Sequence, residues 1–236
     1  MLPLLLLPGM LCDAASWSAQ VSGLADVSEP HVMAYGLADS FEAMADVVLA
    51  AAPERFALAG HSMGGRVAQE VYRKAPSRVA GLALLATDYR GIADEAMRAT
   101  ETARRDGMLA KARADGMDGF ARMWVKQVVA PANLEDETLV DAAVSMMARQ
   151  SFESFAAQSL AGIRRADYTE MLDRIACPTL ICPGALDNLR PVAIHQEMAA
   201  RIPGSQLVVI DGAAHMIAME RPDAVTAALR EWLSHL

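Results

Sequence analysis

The sequence predicts an α/β protein: a mostly parallel sheet of about six strands wrapped by helices. Three observations carry this reading. Short apolar runs alternate with helix-period stretches along most of the chain. The opening run Leu2–Leu7 contains no polar side chain, as expected of a buried parallel strand. Finally, Pro53, Pro76, Pro178 and Pro203 fall where these elements should start or stop.

Taken in order, strands are expected at Leu2–Leu7, His31–Tyr35, Arg55–Ala59, Val79–Leu85, Thr179–Cys182 and Gln206–Ile210. Helical patterns cover Ser40–Ala52, Met63–Lys74, Pro191–Arg201 and Pro222–His235. The first strand has the look of a secretion signal, but no basic residues precede it, Pro3 interrupts it and Pro8 ends it. From Ile92 to Leu172 the alternation stops, and the segment is rich in Ala, Met, Arg and Glu. Gly107, Gly116, Gly119 and Pro131-Ala132-Asn133 divide it into about four helices. The expected organisation is therefore a core of residues 1–91 and 173–236, with residues 92–172 inserted as a helical cap. Such an insertion lies over the carboxyl edge of the strands, where open α/β sheets bind ligands.

Composition narrows the function classes. The chain has 236 residues, 53% of them hydrophobic, and 21 basic against 29 acidic side chains, for a formal charge of −8. That field repels nucleic acid, and no cluster of Lys or Arg in the sequence compensates it. No stretch reaches the ~18–20 apolar residues of a membrane span. Cys12, Cys177 and Cys182 are too few and too irregular for a disulfide framework or a metal site, which points to reduced thiols in the cytoplasm. The 15 methionines are scattered, as flexible core fillers are, and suggest no metal.

One motif carries chemistry. Gly60-His61-Ser62-Met63-Gly64-Gly65 lies between the strand Arg55–Ala59 and a helix, the context of a nucleophile elbow. A serine in so tight a turn adopts strained backbone angles, and the flanking glycines remove the collisions that side chains would make. A serine nucleophile needs a base. His61 is held in the elbow, His31 belongs to a strand, His195 to a helix and His235 to the terminus. His215 instead follows the last strand through a short loop, at the same sheet edge as Ser62, and is the expected base. The carboxylate that orients it is expected at Asp187, after the strand Thr179–Cys182, with Asp88 as the rival after Val79–Leu85. The oxyanion donors are expected from the N–H groups of Met63 and Met10, with Leu11 as the fallback. Leu11, Trp124 and Met216 are candidate substrate contacts, Trp17 is placed beneath the oxyanion loop, and Arg90 is either an anion contact or half of a surface ion pair.

These residues, with Pro183-Gly184-Ala185-Leu186-Asp187 and Gly212-Ala213-Ala214-His215, resemble the α/β-hydrolase superfamily along essentially the whole chain. The likeness is greatest to small cytoplasmic carboxylesterases and enol-lactonases with a helical cap. The resemblance implies a Ser62-Asp187-His215 triad, a cap over the active site and no cofactor, and the expected activity is hydrolysis of a small, fairly apolar carboxylic ester. Lactone or carbon–carbon bond hydrolysis, or ligand reception with little turnover, is compatible with the same residues. Two departures stand out. The family's opening hairpin is missing before Leu2, and Pro8-Gly9 replaces its usual His-Gly.

Overall fold

The computed structural model describes all 236 residues. Six strands form one sheet: β1 (Pro3–Leu7), β2 (Glu29–Val32), β3 (Phe56–His61), β4 (Val79–Leu85), β5 (Thr179–Cys182) and β6 (Gln206–Leu207). Their spatial order is β2-β1-β3-β4-β5-β6, and every pair is parallel.

Strand alternation divides the core into two layers. Leu5, Leu7, Leu58, Leu82, Leu84 and Ile181 face α2 (Phe41–Ala51), α3 (Met63–Lys74) and α8 (Val192–Arg201). Leu4, Leu6, Ala57, Ala59, Leu85 and Leu180 face the opposite way. They pack with Trp17, α1 (Ser18–Leu24), α9 (Ile217–Glu220) and α10 (Pro222–Leu233). Because both faces are covered, the central strands read as unbroken apolar runs.

The helical insertion lies between β4 and β5: α4 (Glu95–Val128), α5 (Glu137–Ala148), α6 (Phe152–Ile163) and α7 (Thr169–Leu172). Asp94, Asp136 and Ser151 cap α4, α5 and α6 by accepting from the N–H groups of Met97, Leu139 and Ser154. Gly116, at φ 72°, bends α4, whereas Gly107 and Gly119 lie within helical runs. The insertion has its own core of Phe120, Val125, Val144, Met147 and Phe155, and Leu11, Cys12 and Met216 from the sheet edge join it.

The sequence-based boundaries shift mainly at the sheet edges. The strand expected at His31–Tyr35 is found at Glu29–Val32, where Glu29-Pro30 begins pairing with β1. Proline is tolerated there because β2 is an edge strand. Tyr35 instead turns inward and donates its hydroxyl to the Pro8 carbonyl at 3.0 Å. At the other edge, the strand expected at Gln206–Ile210 shortens to Gln206–Leu207, followed by a single bridge between Gly184 and Ile210. The short helix α1 has no counterpart among the expected elements. No helix is long and apolar enough to cross a membrane.

Candidate active site

The elbow begins where β3 runs directly into α3. Ser62 takes φ 53° and ψ −111°, a combination that costs non-glycine residues about 1–3 kcal/mol and persists only when its surroundings enforce it. They do so here. A Cβ at Gly60 would strike the Gly64 carbonyl, and one at Gly64 would strike the Leu7 carbonyl. The Ser62 N–H donates to Leu85 O at 2.9 Å, and Thr87 Oγ1 donates to Ser62 O at 2.7 Å. Strand, turn and helix are thereby locked with the Ser62 side chain pointing out of the sheet edge.

The structure brings His215 and Asp187 to that side chain. His215 Nε2 lies 2.7 Å from Ser62 Oγ, and Nδ1 lies 2.7 Å from Asp187 Oδ2. The carboxylate can only accept, so Nδ1 carries the proton and Nε2 is free to accept from the serine hydroxyl. Asp187 Oδ1 accepts from the N–H groups of Leu189 and Arg190 at 2.8 and 2.9 Å. Burial alone would raise its pKa. The His215 interaction and the two backbone donors outweigh burial and hold it below the ordinary value.

The two loops that supply this pair are stitched together: Ala185 N–H donates to Ile210 O and Leu186 N–H to Ala213 O. A Cβ at Gly184 would collide with the Ala214 carbonyl, so only glycine lets the loops approach this closely.

His61 is buried against His215, with ring centroids 5.2 Å apart. Its Nε2 donates to the His215 carbonyl at 2.7 Å. Burial and the neighbouring His215 push its pKa down to about 4, so it is a neutral brace beneath the elbow. Glu220 is a second brace. One oxygen accepts from the N–H groups of Ala214 and Met216, either side of His215, at 3.0 Å each. The other accepts from Ala130 N–H and Asn133 Nδ2 at 2.8 Å each, just beyond α4. Val128 O also receives both His215 N–H and Met216 N–H. The histidine loop is therefore anchored to the inserted helices.

Asp88 lies elsewhere. Arg90 donates to it through both backbone and side chain, and Arg66 lies 3.7 Å away. Burial would raise its pKa, but the two arginines hold it at about 2. Arg90 is largely exposed and pairs with Asp88 rather than facing the cavity.

The Leu11 N–H, the fallback oxyanion donor, is already committed to Gln158 Oε1 at 2.9 Å. Leu11 sits at φ 62°, is wholly buried and does not line the cavity. The Met10 N–H donates to no protein acceptor, and Met63 opens α3, where an N–H has no intrahelical partner.

The space in front of Ser62 is a cavity of about 310 Å³. Met10, Met63, Trp124, Val128, Met147 and Met216 give it an apolar part, but Arg66, Arg104, Arg105, Arg165 and Arg190 also line it. The cavity wall is thus mixed, with apolar and cationic side chains side by side. Of the apolar helix face Met117, Phe120, Met123 and Trp124, only Trp124 reaches the cavity. Phe120 is wholly buried, 6.0 Å from the Trp124 ring and 5.0 Å from Phe155. Trp17 is wholly buried in the core on the α10 side of the sheet. No cluster of His, Cys, Asp or Glu is arranged to hold a metal.

Comparison with known proteins follows the same lines. The model of the Alpha/beta hydrolase family matches residues 4–228. The chain belongs to this family. A pimeloyl-[acyl-carrier protein] methyl ester esterase of Pectobacterium carotovorum is 30% identical to this alpha/beta hydrolase over 232 residues, 94% of the chain and 91% of the relative. A thermophilic esterase from Thermogutta terrifontis, solved with malate bound, superimposes with a TM-score of 0.88 at 30% identity, covering 100% of the chain and 91% of its own. An enol-lactonase from Burkholderia xenovorans shares the fold, with a TM-score of 0.83 at 22% identity over 99% of the chain and 92% of its own.

Sequence reasoning did not single out Gln158, Glu220 or the five cavity arginines. A signal existed for some of them. Arg66 is one helical turn after Ser62, Arg190 follows Asp187 by three residues, and Glu220 follows His215 by five. For Arg104, Arg105 and Arg165 there was none, because their convergence depends on how the insertion folds back.

Proposed function

We propose that this alpha/beta hydrolase cleaves small carboxylic esters through an acyl-enzyme on Ser62. The observation that carries the reading is the continuous proton path from Ser62 Oγ through the His215 ring to Asp187, 2.7 Å at each step. Ser62 Oγ attacks the ester carbonyl while His215 Nε2 takes its proton, and Asp187 stabilises the imidazolium that forms. The N–H groups of Met10 and Met63 receive the oxyanion. His215 then gives its proton to the departing alkoxide, and a water activated by the same histidine releases the acid.

Residues 92–172 act as a cap over this reaction, with Trp124, Val128 and Met147 in its ceiling. The partner is a small ester or lactone, since about 310 Å³ is at the low end for ligand pockets. Three unpaired thiols suit a cytoplasmic setting.

Hydrolysis of p-nitrophenyl acetate and butyrate tests the proposal. The wild type should turn both over, and Ser62→Ala should keep the fold yet lose about 10³-fold or more in kcat. Undiminished turnover by a folded Ser62→Ala protein would refute it.

A further inference from the structure

The molecule carries a formal charge of −8, yet the cavity beside Ser62 gathers five arginines against two carboxylates, Asp88 and Glu101. The pairing within the wall is unequal. Glu101 serves three guanidinium groups: Arg104 and Arg105 at 2.8 Å each and Arg165 at 3.4 Å. Asp88 is already engaged by Arg90 from outside, leaving Arg66 at 3.7 Å without a hydrogen bond to it. Arg66 donates instead to the Arg90 carbonyl, and Arg190 only to the carbonyl of its neighbour Leu189. Arg165 Nε is buried and finds no acceptor at all.

Guanidinium groups taken out of water beside one another are unfavourable unless an anion joins them. Burial lowers the pKa of Arg66 to about 9; Asp88 works against that shift, while Arg190 and Arg165 add to it. For Arg190 burial again comes first, and Arg165 and Arg104 are among the groups depressing it. The arginines thus lie within one another's fields.

Nor is the cluster remote from the chemistry. Arg66 is one helical turn from Ser62, about 6 Å along the axis of α3. Arg105 packs its Nη1 on the sulfur of Met10, in the oxyanion loop, at 2.8 Å. A Cβ at Gly162 would crowd Arg105 Nη2, so glycine there lets the guanidinium lie on the α6 backbone.

We propose that this wall is an anion subsite, and that the preferred substrates are esters carrying a free carboxylate a few bonds from the scissile carbonyl. The inference rests on the ester-hydrolase reading above and adds the substrate's charge to it. The carboxylate supplies the counter-charge that the protein omits, and planar guanidinium groups match its two oxygens.

Three ethyl esters with the same six-carbon acyl chain test the idea: monoethyl adipate, ethyl hexanoate and ethyl 6-aminohexanoate. The kcat/KM for monoethyl adipate should exceed that for ethyl hexanoate about tenfold, with the amino ester slowest. The adipate-to-hexanoate ratio should fall towards one in Arg165→Met and in Arg190→Met, and should shrink in about 0.5 M NaCl. Arg190 has no carboxylate partner to lose, so its variant carries the test should Arg165→Met melt early. If ethyl hexanoate is the best substrate and neither arginine variant changes the ratio, the subsite is refuted while the hydrolase stands. If no ester is cleaved and a fluorophosphonate does not label Ser62, the hydrolase reading fails and takes this one with it.

Discussion

The sheet edge and the inserted helices meet at one cavity but are built on opposite principles. At the edge, Ser62 follows β3 directly, Asp187 and His215 come from the loops after β5 and β6, and their polar atoms are matched in a single order. Backbone N–H groups, His61 and Glu220 fix that order from behind. In the wall that Arg104, Arg105 and Arg165 contribute from the insertion, like charges are gathered and donors outnumber acceptors. A matched network specifies one geometry, whereas a wall short of anions favours one kind of guest. On the proposed reading, the sheet edge sets the reaction type, while substrate choice rests on a wall to which the insertion gives Arg104, Arg105 and Arg165 and the core gives Arg66 and Arg190.

The largest effect that separates the regions should come from the carboxylates. Asp187→Asn removes the group that holds the His215 tautomer, and kcat for a neutral ester should fall about 10³–10⁴-fold. Asp88→Asn should change the same kcat only severalfold, because Asp88 faces Arg66 and Arg90. Reversal of the two effects would reassign the acid.

Glu220 joins the regions, so its variant sharpens the comparison. Glu220→Gln replaces one accepting oxygen by an amide that meets N–H donors head-on. It should cost about 2–3 kcal/mol in denaturant unfolding and lower kcat about tenfold. A loss of stability with kcat unchanged would make Glu220 a brace for the insertion alone.

A smaller effect concerns pH. The folded His61 pKa of about 4 lies below the unfolded value of 6.5, so between these limits the unfolded chain binds more protons. The associated stability is present above pH 6.5 and is lost as pH falls towards 4. It amounts to about 3 kcal/mol, and His61→Phe should flatten that part of the stability profile. The carboxylates that are depressed when folded, Asp187 among them, act at lower pH. A slope unchanged by His61→Phe would show that His61 does not govern the loss of stability in acid. Smallest of all, Trp124→Ala should widen the ceiling and raise the relative rate for longer acyl esters about threefold. An unchanged chain-length profile would show that Trp124 does not limit the cavity.

The elements legible in the sequence were those governed by local rules. Val79–Leu85, Thr179–Cys182 and Met63–Lys74 were placed at the observed residues, because buried parallel strands and an amphipathic helix leave clear patterns. Pro30 concealed β2, whose position depends on pairing with β1 and not on propensity. The meeting of Ser62, His215 and Asp187 at one sheet edge was legible because each lies in a loop or turn after a strand, beside characteristic small residues. The arginine wall was not, since an arginine in a helix reads as a solvated face until tertiary packing turns it inward. The choice of Met10 over Leu11 rested on backbone proximity alone, and the role of Gln158 in occupying Leu11 has no trace in local sequence.

The proposed chemistry stands or falls with the strained, hydrogen-bonded Ser62 as nucleophile. Intact-protein mass spectrometry after treatment with a fluorophosphonate tests it most directly. One adduct per wild-type chain is expected, mapped by peptide analysis to Ser62, with much slower labelling in His215→Ala and none in Ser62→Ala. An adduct that persists in a folded Ser62→Ala protein, or that maps to another residue in the wild type, would contradict it.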